Sequence, residues 1–372
     1  MRPSDTAARF RSRRAFLPGQ DTPHALAGFA GGRAFTFPLL ANEVQAVALT
    51  CCTSGSPPRK PTRAAIIRGG FGQDARGLAR KAKSGQLRRI RQGVYVRAQD
   101  WEALTPWDRY PLLIRAAAAT LKSRTVFCRQ SSGVLWDMPV LGLEHPVHAC
   151  TSDAGGGRSR AGVRRHFVDL DSARIEERHG LLVTGRARTA LDLAAFESFE
   201  QGVAVFDHVL RPQPGTLAPL SKAELEAGVE GNYTATATRR IRTALRFADP
   251  ASGSPGESVS RAMMHRLGFR VPVLQVEIRD GRGLVAFTDF DWPEERLCGE
   301  FDGLVKYRNP EYLRGRTPAQ ALADEKRRED RIRATGRRVV RWTWSELSAP
   351  ARFAAFLAEA GVPRATPPSC RP

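Results

Sequence analysis

The stretch Thr288–Tyr307, TDFDWPEERLCGEFDGLVKY, decides the fold expected for the C-terminal part of the chain. Acidic and apolar residues alternate in two short segments that flank the turn sequence PEER. Because successive side chains of a strand point to opposite faces, Asp289 and Asp291 share one face of the first segment. Glu300 and Asp302 share one face of the second. We therefore predict two antiparallel strands that bring Asp289 close to Glu300.

These facing carboxylates indicate a metal site. Oxygen ligands suit hard divalent cations, so the expected cofactor is Mg²⁺ or Mn²⁺. Such an ion activates water and stabilises a leaving oxygen. The competing interpretation is a solvated sheet face, on which alternating acids need no ligand. Glu257 lies in the first turn of a predicted helix, where its negative charge either interacts favourably with the helix dipole or binds the same metal.

The segments on either side of this stretch predict further helices and strands. Ser254-Pro255-Gly256-Glu257 is typical of a helix start, and Gly268 ends that helix. Asp280-Gly281 predicts a hairpin turn. A charged helix that ends at Gly336 and a β-branched strand follow. The predicted order is helix 254–267, strands 273–279, 284–292 and about 297–301, helix 318–335 and strand 337–344.

This αβββαβ order and its motifs resemble the PD-(D/E)XK nuclease superfamily, most closely the branch related to very-short-patch-repair endonucleases. The resemblance covers about residues 254–347 and is carried by Asp289-Phe290, Glu300-Phe301-Asp302-Gly303, Glu325 to Arg328, and Gly336 through Val339-Val340-Arg341. It implies a restriction-endonuclease-like domain that hydrolyses phosphodiester bonds with a metal ion. Asp289 and Glu300 would then be metal ligands, with Asp302, Glu257 and Lys306 completing the catalytic set.

Two positions depart from that pattern. Asp302 stands where a typical member has lysine, and Lys306 stands where the branch often has histidine. Lys306 is interpreted either as the cation that orients water or neutralises developing charge, or as a surface lysine.

The net charge points to a polyanionic partner. The 372 residues include 58 Lys and Arg against 38 Asp and Glu, which gives a formal net charge of +20 and a pI of about 10.8. This excess is far larger than solubility requires, and nucleic acid is the natural counterpart. In the charged helix, basic residues on several faces indicate either phosphate contacts or a solvated surface. The residues predicted there to contact nucleic acid are Lys326, Arg328 and Arg331.

A second basic region lies near the start of the ordered chain. Apolar spacing predicts a helix over 74–83, ended by Gly85, and two strands around the Gln92-Gly93 turn. A helix followed by a basic hairpin is the winged helix-turn-helix plan, in which the wing holds backbone phosphates. The alternative is a small structural subdomain with solvated arginines. The residues predicted to contact nucleic acid are Arg76, Arg80, Lys81, Lys83, Arg88, Arg89 and Arg91.

The N-terminal half resembles AbiEi-type antitoxins, the transcription-regulating half of abortive-infection toxin–antitoxin pairs. The resemblance covers about residues 64–211 and is carried by the segments GQLRRIRQGVYV (85–96), QSSGVLWDMP (130–139) and LVTGRARTALDLA (182–194). It implies double-stranded DNA as ligand and a cognate toxin protein as partner. In the third segment Thr189 and Asp192 are interpreted as a helix cap rather than as functional residues.

We therefore expect a multidomain α+β or α/β chain with a winged-helix-like N-terminal half and a restriction-endonuclease-like C-terminal domain. Two functions stay open: a metal-dependent endonuclease linked to toxin–antitoxin or phage defence, and a non-catalytic repressor with a degenerate nuclease fold. Six cysteines without a disulfide or zinc-ligand pattern, and the lack of a membrane-spanning apolar run, favour a soluble cytoplasmic protein. The expected divisions are a disordered extension at 1–63, a winged helix at 64–98, an α/β domain at 99–248, the nuclease-like domain at 249–361 and a tail at 362–372.

Overall fold

Three β-sheets, each packed against helices, form the part of the chain that the structure describes. The structure is a computed structural model, and it describes residues 65–69, 73–121, 124–152, 159, 162–212, 217–303 and 317–366. The fold is therefore mixed α+β. The predicted extension at 1–63 lies outside the described residues, as does most of the predicted tail. In the described ranges no helix is long and apolar enough to cross a bilayer.

The N-terminal sheet has the strand order β1-β3-β2. The predicted helix and hairpin are confirmed, and Gly85 and Gly93 take the positive φ angles that their turns require. Val94 and Val96 are fully buried, and Val96 packs with Trp101 and Leu112 of the following helices. The elements are β1 (Ile67–Arg68), α1 (Gln73–Lys83), β2 (Leu87–Arg91), β3 (Val94–Arg97), α2 (Ala98–Ala103) and α3 (Pro106–Thr120).

The middle of the chain forms a five-stranded mixed sheet with the order β6-β5-β4-β8-β7. Helices cover it and share its core, which includes Phe127, Leu191 and Phe206. The elements are β4 (Val126–Phe127), α4 (Arg129–Leu135), β5 (Val147–Thr151), β6 (Val163–Phe167), β7 (Ile175–Arg178), β8 (Leu181–Thr184), α5 (Arg186–Phe196), α6 (Phe199–Leu210), α7 (Lys222–Ala227) and α8 (Ala235–Phe247).

The predicted cap at Thr189 is wrong. Helix α5 begins one turn earlier, after Gly185, and the buried Thr189 hydroxyl donates to the carbonyl of Thr184 at 2.9 Å. Asp192 instead accepts from Arg188 at 2.8 Å and from the Tyr233 hydroxyl at 2.7 Å. These contacts tie α5 to the segment before α8, which supports the structural interpretation of this motif.

The C-terminal sheet has the order β12-β11-β10-β9, with β12 parallel to β11 and the other pairs antiparallel. The predicted order of helix, three strands, helix and strand is confirmed. The last strand is shorter than predicted, because the Thr343 side chain caps a new helix that starts at Trp344. The elements are α9 (Pro255–Arg266), β9 (Val273–Asp280), β10 (Gly283–Trp292), β11 (Leu297–Phe301), α10 (Pro318–Ala334), β12 (Arg338–Trp342), α11 (Trp344–Leu347) and α12 (Pro350–Glu359).

Two glycines let β11 pack without a gap. A Cβ atom on Gly256 would lie 1.9 Å from the Phe301 ring, and one on Gly299 would lie 2.6 Å from the Trp342 ring. No side chain fits at such distances, so α9 and the indole of Trp342 lie directly against the strand. This packing fixes the strand that carries Glu300.

Helix α9 also packs against α6 of the middle region. Arg261 and Asp207, both almost fully buried, form an ion pair there, with the Arg261 Nη2 atom 3.0 Å from Asp207 Oδ2. All the described residues belong to one compact unit. The predicted domain boundary at 249 stays a prediction.

Candidate functional site

The strand pair β10–β11 carries the predicted carboxylates. Phe290 pairs with Gly299, and extending this register by one residue places Asp289 opposite Glu300. Asp289 Oδ2 accepts a hydrogen bond from the Phe301 amide at 3.0 Å. Phe290 stacks on Trp342 at 5.1 Å on the other face, as the alternation predicts. The two acids therefore lie side by side on adjacent strands.

Two arginines hold the carboxylate of Glu300. Arg328 Nη2 lies 2.9 and 3.0 Å from its two oxygens, and Arg341 Nε lies 2.9 Å from Oε2. Glu300 is only 8% exposed. Both of its oxygens therefore accept from guanidinium groups, and the charge-assisted hydrogen bonds fix its orientation.

The same arginines bind acids of helix α10. Arg328 donates to Glu325 at 2.6 Å, and Arg341 Nη1 lies 3.1 Å from Glu329. Burial by itself would lower the pKa of Arg341, but the neighbouring carboxylates, Glu300 foremost, raise it. We call Glu300, Glu325, Glu329, Arg328 and Arg341 the arginine–carboxylate network.

Asp291 forms a separate buried ion pair. Its side chain is fully buried, and Arg337 Nη1 lies 2.8 and 2.6 Å from its two oxygens. The Cys298 thiol donates to Asp291 Oδ2 at 3.3 Å. Burial, and then the charge of Asp291, raise the pKa of Cys298 to about 12, so this thiol stays protonated.

Two of the other predicted catalytic residues, Glu257 and Asp302, belong to the described part of the chain. The buried Glu257 carboxylate accepts from the Gly253 amide at 2.7 Å, which supports its interpretation as a residue of the helix start. Asp302 is half-buried, and its amide donates to the Trp342 carbonyl at 2.8 Å. Lys306 lies outside the described residues.

The described side chains do not fit a bound divalent cation. A cation at Glu300 would stand beside two guanidinium charges that already use both carboxylate oxygens. Within the described ranges no group of three or more His, Cys, Asp or Glu side chains is placed to hold a metal ion. The Mg²⁺ or Mn²⁺ cofactor therefore stays a prediction, and it requires Glu300 to be released from its arginines.

Sequence reasoning missed the partners of Glu300. Arg341 lies directly opposite Glu300 in the parallel pairing of β11 with β12. The sequence feature that could have revealed Arg341 as a partner is the segment GRRVVR, which predicts a strand that ends at Arg341. Pairing that strand with β11 places Arg341 beside Glu300.

Of the basic residues predicted on α10, two are already paired. Arg328 belongs to the network, and Arg331 Nε lies 2.7 Å from Asp280 Oδ2 in the β9–β10 hairpin. Lys326 is exposed, and its predicted role in nucleic-acid binding stays a prediction. Intramolecular carboxylates thus neutralise much of the charge on this helix.

In the N-terminal helix and hairpin, unlike in α10, basic residues far outnumber acids. Segment 64–98 contains nine Lys or Arg residues and one acid, Asp74. Arg88 lies over the Trp101 ring at 5.4 Å. Six exposed side chains of this segment form no ion pair with any residue that the structure describes. We call them the basic helix–hairpin surface: Arg76, Arg80, Lys81, Lys83, Arg88 and Arg89.

Arg91 differs from these residues. It is half-buried, and its Nε atom donates to the Thr120 hydroxyl of α3 at 2.5 Å. Burial lowers its pKa. Arg91 therefore anchors the hairpin to α3, and a direct contact with nucleic acid is less well supported for it than for its exposed neighbours.

Comparisons with known proteins identify distant relatives. No protein-family model matches the chain. Two proteins of Mycobacterium tuberculosis, uncharacterized protein Rv2248 (strain ATCC 25618 / H37Rv) and uncharacterized protein MT2308 (strain CDC 1551 / Oshkosh), are each 28% identical over 240 residues, which is 64% of this chain and 82% of theirs. The crystal structure of the Rv2827c protein from the same organism covers 56% of this chain and 78% of its own, at 15% identity and a TM-score of 0.33.

Proposed function

We propose that this chain is a double-stranded DNA-binding protein of the transcription-regulating antitoxin kind, which contacts backbone phosphates through the basic helix–hairpin surface. The observation that carries the proposal is the set of exposed cations in α1 and β2 that have no carboxylate partner among the described residues. The N-terminal resemblance to AbiEi-type antitoxins supports a regulatory role. A cognate toxin protein is the partner that this role implies.

The physical reason is the cost of binding. A cation that already has a carboxylate partner must give it up before it contacts a phosphate, whereas an unpaired surface cation only displaces water and counterions. Phosphate contacts of this kind supply affinity without sequence preference and position a protein on the duplex. The basic helix–hairpin surface meets this condition among the described residues, whereas all four arginines of α10 have carboxylate partners.

Metal-dependent endonuclease activity is the competing function. The observation that favours it is the placement of Asp289 opposite Glu300 at the end of β11. Activity would require Arg328 and Arg341 to leave Glu300. The DNA-binding proposal does not need that rearrangement.

The test measures binding to a fluorescent duplex by anisotropy in EDTA, for the wild type and the triple variant Arg80→Gln, Lys81→Gln and Arg89→Gln. We expect metal-independent binding by the wild type and affinity reduced about tenfold or more in the variant. Equal affinities would overturn the proposal. In parallel, supercoiled DNA with Mg²⁺ or Mn²⁺ tests cleavage, and nicking that disappears in Asp289→Ala would establish the endonuclease.

A further inference from the structure

A polar cleft of about 210 Å³ lies at one end of the C-terminal sheet, away from Glu300. It is formed by strand β9, the turn between β10 and β11, and the turn between α10 and β12. Its lining includes Glu277, Arg279, Arg296, Thr335 and Arg337. Three guanidinium groups thus line one small space together with a single carboxylate.

The buried side chain of Asp291 fixes the position of the Arg337 guanidinium. Its Nη1 atom bonds both oxygens of the fully buried Asp291, while about a fifth of its side chain stays exposed. Because Asp291 is inaccessible, it holds the guanidinium in place without occupying the cleft. The remaining N–H groups of Arg337 are donors for a ligand.

Arg296 is held by the turn that carries it. Its φ angle is +49°, and its carbonyl accepts from the Arg338 amide at 2.8 Å. A Cβ atom on Gly336 would lie 3.2 Å from Arg296 Nη1, so the glycine leaves room for the guanidinium. In the described part of the chain Arg296 forms no ion pair. It is accessible to solvent and available to a ligand.

The charges around the cleft do not cancel. Arg279 is paired with Glu277, and Arg337 is paired with Asp291. Arg296 therefore leaves an excess of one positive charge, surrounded by guanidinium donors. Planar guanidinium groups bind phosphate oxygens through paired, charge-assisted hydrogen bonds.

We propose that this cleft binds a phosphate group, supplied either by a nucleic-acid backbone or by a free phosphate ion. Since one water occupies about 30 Å³ in the liquid, the volume accommodates a phosphate with a few waters. The site is separate from the basic helix–hairpin surface and needs neither metal nor Asp289. It therefore goes beyond the proposed function and does not depend on it.

The test is calorimetric titration of the full chain with inorganic phosphate at low ionic strength. Arg296→Gln removes the unpaired guanidinium and should weaken phosphate binding about tenfold. Arg282→Gln is the matched control, because it removes the same charge from an exposed residue of the β9–β10 hairpin that does not line the cleft. Equal phosphate affinity for Arg296→Gln and Arg282→Gln would overturn the proposal.

A second arm identifies the source of the phosphate. If a short duplex displaces bound phosphate and Arg296→Gln weakens duplex binding, the cleft receives the nucleic-acid backbone. If Arg296→Gln changes only phosphate binding, the ligand is the free ion. The triple variant of Arg80, Lys81 and Arg89 should keep phosphate binding at the cleft, so failure of the DNA-binding proposal can be told apart from failure of this one.

Discussion

Two arginine-rich regions of this chain have similar composition and opposite electrostatic arrangements. In the N-terminal segment 64–98 nine basic residues face one acid, and the exposed cations of α1 and β2 form no ion pairs within the described structure. In segment 317–341 eight basic residues accompany four acids, and strands β9, β10 and β11 add Asp280, Asp291 and Glu300 as partners. Under the proposed function the first region contacts an external polyanion, whereas the ion pairs of the second region hold helix α10 against the sheet that contains β12.

The difference shows that the number of basic residues does not identify a binding surface. Arg331 and Arg80 are both arginines near the end of a helix, yet of these two only Arg80 lacks a carboxylate partner among the described residues. What separates them is the tertiary placement of acids from distant strands. Three predictions test this contrast, in order of decreasing effect on stability.

The arginine–carboxylate network should be the most sensitive part of the paired region. Glu300→Gln removes the buried acid and leaves Arg328 and Arg341 short of negative charge. Breaking a buried pair from one side costs about 3 kcal/mol, so we expect a decrease of that order in the free energy of unfolding, measured in urea. Glu294→Gln is the control, because it removes an exposed partner of Arg270 and should cost less than about 1 kcal/mol. Similar decreases in both variants would contradict the structural role of the network.

The middle sheet contains a pair of histidines that burial keeps neutral, so no carboxylate partner is needed to balance a charge there. His148 and His166 stack on adjacent strands with ring nitrogens 2.8 Å apart. Burial, and then nearby positive charge, lower the pKa of His148 to about 3 and that of His166 to about 4.

Because both values lie below the unfolded pKa of about 6.5, the unfolded state binds protons first. Stability should therefore be retained above about pH 6.5 and fall as the pH drops from there toward about 4. We expect the free energy of unfolding to decrease by about 1–2 kcal/mol between about pH 7 and pH 5.5, measured by denaturant titration. The variant His166→Gln should show a smaller decrease, and an equal one would contradict this assignment.

The smallest effect is expected at the edge of the paired region. Arg331→Gln removes the pair with Asp280, whose pKa the Arg331 hydrogen bonds lower to about 2. Both side chains are partly exposed, at 34% for Arg331 and 19% for Asp280, so the melting temperature should change less than in Glu300→Gln. The same variant should raise the pKa of Asp280, which NMR titration below about pH 4 measures. An unchanged pKa would rule out the pairing.

Much of the fold is predictable because its signals are local. Alternation along β10 and β11, the helical spacing of α1 and the glycines that end helices all act over a few residues. These features also predict that Asp289 and Glu300 are neighbours, since both belong to one hairpin.

The rest of the candidate site depends on contacts between distant segments. The partners of Glu300 come from α10 and β12, about 30 to 40 residues later in the chain. The sequence around Thr189 predicts a helix cap, although the helix begins earlier and uses the hydroxyl to bind β8. In each case the residue types are recognisable, and the register between separate elements decides what they do.

The most direct measurement compares two variants with the same net charge. One is Arg80→Gln, Lys81→Gln and Arg89→Gln on the basic helix–hairpin surface, and the other is Arg327→Gln, Arg331→Gln and Arg333→Gln on α10, whose three arginines all have carboxylate partners. Duplex affinity should be measured from about 50 to about 200 mM salt in EDTA. We predict that only the first variant lowers affinity and flattens the salt dependence, by about one unit of slope for each backbone phosphate that the variant no longer neutralises. Equal effects of the two variants would contradict the account, because total charge rather than unpaired charge would then govern binding.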